Sequence, residues 1–459
     1  MSESSGSTPS DQPQGQPQAQ AQFQPEAAHH QRPKLRQVRG FPAQVGEHVM
    51  LGLADARQIS DRVVFTVPAV QVVLPLMDGS RDVDAIIAEV GRGLTRPILE
   101  QIIAQLDEAG LLFGPTFDAM VAKMRKDFDT LDHLPPASTA AFADFAVVQS
   151  LGESATDEQK AEQGPQRMRE MFDQWIAQAL EKAAEPSFDE LPAAVIAPHL
   201  DYPRGWMNYA AVWGRMRVVD RPERVVILGT NHFGEGTGVV GCDKGYQTPL
   251  GLCSVDAGLI AGLRRRLGDK LFQNRYDHER EHSIELQIPW IQHALGKNEQ
   301  GEYCKVFGAL VHDPAVNNGE SYDGNGVGLS AFVDALRETI DELPGKTLVV
   351  SSADLSHVGP AFGDQEPLAG DDEESDQRRR AVFQHDQEMI ELIRSNKPDE
   401  LVAAMAWQQN PTRWCSTGNI IAAMMLVQPT EIELLNYAAA MDQQGSAMVS
   451  SMAAAMWGE

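Results

Sequence analysis

Residues 348–357 read LVVSSADLSH: an apolar run closes on two serines, then sets Asp354 and His357 three positions apart. A run of branched aliphatic residues marks a strand buried on both faces. Three other runs share that texture, AAVIA (193–197), RVVILG (224–229) and KVFGALV (305–311). Among them lie segments with apolar residues at helical spacing: AGLIAGLRRRL (257–267), ELQIPWIQHAL (285–295), LSAFVDALRETIDEL (329–343) and HDQEMIELIRS (385–395). Buried strands alternating with helices predict an α/β sandwich, a mostly parallel sheet covered on both faces.

In such sheets ligands collect beyond the carboxyl ends of the strands. The endings here form a set. AAVIAPHLDY delivers His199, Asp201 and Tyr202, RVVILGTNHFG delivers Asn231 and His232, and the opening stretch delivers Asp354 and His357. EHSIELQIPW places Glu281, His282 and Glu285 at the start of a helix. RWCSTGNIIAAMM sets Cys415 just before an apolar helix, where the positive end of the helix dipole suits an anionic sulfur.

Taken singly, each feature has a bland explanation. A histidine after a strand usually satisfies backbone groups, and an aspartate often caps a turn. Glu281 and Glu285 fit a solvated helix face, and a lone cysteine is most often a small buried hydrophobe. His278 and His312 are given no functional role. Repetition is what points to a mononuclear metal site, because imidazole with thiolate or carboxylate is the donor set transition metals prefer. The competing chemistry is a serine hydrolase, since Ser351, Ser352 and Ser356 lie near Asp354 and His357. The chain has no G-x-S-x-G elbow, and GEGTG at 234–238 lacks the lysine of a phosphate loop.

Acidic residues number 65 against 38 basic ones, a formal charge of −27 that opposes attraction to nucleic acid or anionic membranes. The four cysteines, Cys242, Cys253, Cys304 and Cys415, show no CxxC spacing and suit a reducing compartment. With no signal-peptide pattern and no apolar run of membrane-spanning length, a cytoplasmic protein is expected. Residues 1–34, rich in Gln, Pro, Ser and Ala, are expected to be a disordered tail with His29 and His30 solvated. Residues 36–115 read as a small α+β domain, with a strand in DRVVFTV (61–67) and helices in DVDAIIAEVG (82–91) and RPILEQIIAQLDEAGLL (96–112). Residues 116–168 read as a connector, followed by an amphipathic helix in RMREMFDQWIAQALEKA (167–183). The seven acidic residues between Asp364 and Asp376 read as a solvated loop.

The elements IAPHLDYPRGW, VVILGTNHFG, TPLGLCSVD, EHSIELQIPWIQ, VVSSADLSHVG and CSTGNIIAAM occur in that order. Together they resemble the Memo family (mediator of cell motility), which includes the bacterial component B of the AmmeMemoRadiSam system. The resemblance covers 169–459. It implies a LigB-like core, that of the class III extradiol dioxygenases, with a mostly parallel mixed sheet flanked by helices. It further implies a mononuclear non-haem metal, iron or copper with zinc a further candidate, on His199, His232 and Cys415. His282, His357 and Asp354 would line the pocket in acid–base or orienting roles, and Tyr202 would hydrogen-bond a bound oxygen species. The chain departs from the family pattern at Leu200-Asp201, Thr230 and Ser416, where Ala-Gly, Pro and Gly are usual. Separately, MDGSRDVDAIIAEV and TRPILEQIIAQLDEAGLLF resemble the winged-helix-like PqqD domains, which implies capture of a peptide or protein substrate. Radical SAM and AMMECR-type proteins are the partners the resemblance implies, with no nucleic acid and no membrane. Two functions follow: a metal-dependent oxidoreductase, or a non-catalytic peptide- or protein-binding module reusing the dioxygenase fold.

Overall fold

The computed structural model describes residues 21–458 apart from 47 and 92, and the chain divides between Lys126 and Asp127 into two compact units.

In the larger unit the four apolar runs form adjacent parallel strands. Thr347–Ser352 lies at the centre, paired with Ala194–Ala197 on one side and Arg224–Thr230 on the other; Lys305–Val311 follows Arg224–Thr230. Antiparallel strands extend both edges. Val240–Gly241 joins Lys305–Val311, and Met448–Trp457 joins Ala194–Ala197. Met448–Trp457 also pairs with Asp354–Val358 and Glu431–Met441. The result is a mixed sheet with a parallel heart.

Successive side chains on a strand point to opposite faces, and both faces here are covered. Val195, Ala197, Val225, Ile227, Leu348 and Val350 pack in one cluster with residues of helices Asp157–Leu180, Tyr202–Arg215 and Ile288–Leu295. Ala194, Ile196, Val226, Leu228 and Val349 pack in the other with helices Ala257–Leu267, Leu329–Asp341 and Thr417–Val427. This explains why the strands read as continuous apolar runs rather than alternating ones.

Several stretches differ from their sequence reading. The connector 116–168 is mostly helical, in Pro115–Thr130, Ser138–Leu151 and the first half of Asp157–Leu180. Its polar start hid a helix that Thr156 and Gln159 begin with a reciprocal capping box, and Phe142 enters the core of the larger unit. The acidic run is only partly loop. Asp372 caps helix Glu373–Arg394, and Glu373, Glu374 and Asp376 occupy its first turn, where the helix dipole favours negative charge.

The smaller unit has a three-stranded antiparallel sheet, Val38–Val45, His48–Asp55 and Val63–Thr66 in that order, with helices Val83–Val90 and Arg96–Glu108 over its core. Pro42 disguises the first strand; it is tolerated because that strand is an edge. Of the expected tail, residues 1–20 lie outside the described residues. The remainder, 21–34, is not tail-like: Phe23 packs on the core, Ala28–Gln31 is a helical turn, and His30 is 1% exposed. Its partner Asp107 lies 77 residues away, which composition cannot reveal. Among the described residues no helix is long and apolar enough to cross a membrane.

Candidate metal centre

The carboxyl ends of the parallel strands bring imidazoles together. His199 follows Ala194–Ala197, and its backbone N–H donates to Asp354 Oδ1 at 3.0 Å. Its Nδ1 pairs with the Ser352 carbonyl oxygen at 2.9 Å. A carbonyl only accepts, so Nδ1 carries the proton and Nε2 keeps its lone pair. That Nε2 lies 3.4 Å from Cys415 Sγ and 3.6 Å from Asp354 Oδ2.

His232, just beyond Arg224–Thr230, is held likewise. Its Nδ1 pairs with Glu281 at 3.0 and 3.2 Å, and its backbone N–H donates to the same carboxylate at 2.9 Å. His282 sits beside Glu281, with Nδ1 at 3.4 Å. One ligand atom from each of His199, His232 and His282 lies within 4.8 Å of the other two. The His232 and His282 rings stack at 4.9 Å, and His199 meets both edge-on.

Burial pushes the His199 imidazole well below its ordinary range, and the neighbouring His232 and His282 push the same way. Burial lowers His282 as well. Burial alone would lower His232, but Glu281 and Cys415 outweigh it and hold that imidazole well above its usual value. Glu281 is correspondingly held far below the carboxylate range: burial opposes its charge, and the His232 cation prevails. Asp354 is pushed up to about 7 by burial, against the N–H groups of His199 and Leu200. His357 is pushed down to about 4, again by burial.

Cys415 arrives on a constrained loop between helices Pro398–Gln408 and Thr417–Val427. Gln409, Asn410 and Arg413 adopt positive φ (58°, 48° and 58°), a conformation that persists in such residues only where surrounding contacts impose it. Those contacts are present. The Asn410 side chain grips both backbone groups of Trp414, at 2.7 and 2.8 Å. The Trp414 indole donates to the fully buried Asp386 at 2.8 Å, and Tyr437, Ser356 and Ser450 also donate to that carboxylate. His357 donates its backbone N–H to the Thr412 carbonyl (2.7 Å), and Arg413 donates to the His357 carbonyl (2.8 Å). The loop is thereby laced to the strand that carries Asp354.

His199, His232, His282, Asp354 and Cys415 are therefore brought together. Tyr202 does not join them. Asp201 caps the helix that begins at Tyr202, which turns the tyrosine back under the sheet. Its ring packs on Phe142, Phe172 and Trp290, and its hydroxyl donates to the Leu286 carbonyl at 2.7 Å. It is not free to bind an oxygen species. The His357 imidazole stands apart too, with Nδ1 on the Leu355 carbonyl and its ring against Phe362. The serine alternative loses two of its three nucleophiles to hydrogen bonds, Ser352 donating to the Ser283 carbonyl and Ser356 to Asp386, while Ser351 is fully buried with no base on its hydroxyl. In the glycine-rich loop the N–H groups of Glu235 and Gly236 are taken by Asp277, which leaves no phosphate cradle. Sequence reading missed the task of Glu281, which orients His232. Glu285 has a separate one, accepting the N–H groups of Ala137, Ser138 and Thr139 at the start of a helix.

The smaller unit holds a second group of candidate ligands, two imidazoles and a carboxylate: His29, His30 and Asp107. Its polarity is reversed. His30 Nδ1 accepts the Gln24 N–H at 2.9 Å, so the proton sits on Nε2 and is donated to Asp107 at 3.1 Å. Both ring nitrogens of His30 are spent, which leaves only His29 and Asp107 of the three and makes this cluster a poor fit for a metal.

The sequence model of the Memo-like protein family matches residues 160–456. A MEMO1 family protein from Methanopyrus kandleri is 27% identical over 288 residues, covering 61% of this chain and 89% of the relative. One from Aquifex aeolicus is 23% identical over 350 residues, 75% of this chain and 79% of its own. One from Thermotoga sp. strain RQ2 is 27% identical over 259 residues, 55% and 78% respectively. The matched span contains the whole imidazole cluster and Cys415, and on that span the chain belongs to the Memo-like family.

Proposed function

We propose that the larger unit is a metal-dependent oxidoreductase, related to the class III extradiol dioxygenases, with a mononuclear non-haem site on His199, His232 and Cys415. The observation that carries this reading is the way both imidazoles are held. Metal-binding histidines characteristically donate their other ring N–H to a carbonyl or carboxylate, as His199 does to Ser352 and His232 to Glu281. A mixed nitrogen and sulfur donor set suits iron, copper or zinc. Iron or copper held there would supply redox chemistry at exchangeable coordination positions.

The remaining groups manage protons and substrate. Asp354, with a pKa of about 7, can hold or release a proton beside His199 Nε2 near neutral pH. His282, a third of its side chain exposed at 32%, is placed to meet a substrate as acid or base, or to serve as a further ligand. Metal analysis of the purified protein beside His199→Ala and Cys415→Ala is the test. Loss of bound metal in both variants is expected, and unchanged content in both overturns the reading.

One observation favours a second, complementary function in the smaller unit. Its edge strand Val63–Thr66 borders a cavity of about 330 Å³ lined by Val63, Val64, Phe65 and, from the neighbouring helix and its end, Gln105, Glu108 and Ala109. An exposed strand edge beside a helix is a ready site for an added peptide strand. On this reading the unit captures a peptide in the manner of PqqD-like domains, and the substrate is a peptide or protein. Deleting residues 1–115 should abolish peptide capture and leave metal content intact.

A further inference from the structure

Ser416 occupies the N-cap position of helix Thr417–Val427, where a serine side chain ordinarily accepts a backbone N–H from the first turn. It makes no such bond. The fully buried hydroxyl is turned the other way, 3.1 Å from Cys415 Sγ and 3.2 Å from Thr230 Oγ1. Asn419 Nδ2, on the first turn of the same helix, donates to Thr230 Oγ1 at 2.9 Å and to the Ser352 carbonyl at 2.8 Å. Thr230 in turn reaches the Cys415 carbonyl at 3.2 Å.

The direction of this chain follows from proton counting. A sulfur bound to a metal has no proton to give, so Ser416 is the donor to Cys415 Sγ. Its single hydroxyl proton is then committed, so towards Thr230 it can only accept, and the one Thr230 proton is shared between Ser416 Oγ and the Cys415 carbonyl oxygen, both at 3.2 Å. Thr230 accepts from Asn419, which has protons for both Thr230 and Ser352. The Asn419 carbonyl oxygen is buried without a partner, so the amide is held by its donor side alone.

We propose that Ser416 is a positioning and tuning residue for the Cys415 sulfur, set by the relay Asn419, Thr230, Ser416. This rests on the reading of Cys415 as a metal ligand. A hydrogen bond to a ligating thiolate withdraws electron density from it, and such bonds set the energies and potentials of metal–sulfur centres. A hydroxyl diverted from its capping role towards the sulfur is the mark of that task.

The test uses the full chain loaded with cobalt(II), whose sulfur-to-metal charge-transfer band reports electron density on the ligand. Ser416→Ala should keep the metal and move the band to lower energy. Because no cap bond is lost, its thermal midpoint should stay near that of the unaltered protein. Thr230→Val should move the band in the same direction by less, and Ser416→Thr should restore it. A band at the same energy in Ser416→Ala as in the unaltered protein overturns the proposal while leaving Cys415 a ligand. Cobalt bound to the unaltered protein with no sulfur band overturns the reading of Cys415 and this proposal with it.

Discussion

The two histidine clusters are nearly the same on paper and opposite in chemistry. Each gathers imidazoles and a carboxylate within bonding distance of one another. In the larger unit the carboxylate Glu281 and the carbonyl of Ser352 take the Nδ1 protons, so that Nε2 of His199 keeps its lone pair and Nε2 of His232 gains one when that imidazolium gives up its proton. In the smaller unit a backbone N–H takes the Nδ1 lone pair of His30, and its Nε2 proton goes to Asp107. The first arrangement is the one the proposed metal site requires. The second is a closed latch that ties residues 24–30 to the end of helix Arg96–Glu108. Composition and proximity do not separate a metal site from a structural histidine; the direction of the hydrogen bonds does.

The largest effect should come from striking each cluster in turn. His199→Ala should reduce bound metal to near zero, and His30→Ala should leave one metal per folded chain. Elemental analysis of both variants after size exclusion makes the measurement. Two metals per chain in the unaltered protein, falling to one in His30→Ala, would erase the contrast by making the latch a second site.

The carboxylates should differ in the same sense by a smaller amount. Glu281→Gln keeps the shape but loses the charge that fixes the His232 tautomer, and changes of this kind cost about 10- to 100-fold in metal affinity. Asp107→Asn should leave affinity as it was. Competition with a chromophoric chelator reads both, and equal losses would show that the cost comes from general destabilisation.

Much of the larger unit was legible because its strands are buried on both faces, so that no alternation obscured them. His199, His232 and Asp354 stood at their ends, where the fold collects function. Other features required three dimensions. Glu281 looked like a helix-face residue because its partner His232 is 49 positions away. Tyr202 looked catalytic because it follows His199 so closely, yet the cap at Asp201 turns it into the core. Asp386 gave no signal at all, since its donors are spread from Ser356 to Ser450. In the smaller unit Pro42 and the polar sequence around His30 concealed ordered structure.

The latch should show itself in stability instead of metal binding. His30→Ala removes the nearest donor from the buried Asp107 and leaves it Thr116 at 3.3 Å and His29 at 3.4 Å; losing one such bond to a buried carboxylate costs about 1–3 kcal/mol. Urea unfolding followed by a probe in the smaller unit should show the loss. No change in midpoint would mean that the segment 24–30 is not held by this pair.

His278 offers the finest discrimination, because it belongs to the larger unit yet has the polarity of the latch. Its Nε2 meets the Val240 carbonyl at 3.1 Å and its Nδ1 meets the Tyr246 hydroxyl at 3.1 Å. The proton therefore sits on Nε2, the Nδ1 lone pair accepts from the tyrosine, and nothing is left for a metal. Burial lowers its pKa in the folded protein, whereas in the unfolded chain it titrates near about 6.5. As pH falls below that unfolded value the unfolded state takes up a proton that the folded state refuses, so stability falls with it. Above it the contribution is fully present. His278→Gln can keep both bonds without titrating, and should flatten the loss of stability of the metal-free protein between pH 7 and pH 5. His199, His282, His293, His312 and His357, also lowered by burial, preserve part of the slope. Metal content of the variant at neutral pH should be unchanged. A variant that keeps the full acid slope, or one that loses its metal, would show that bond direction alone is too simple a guide to the role of a buried histidine.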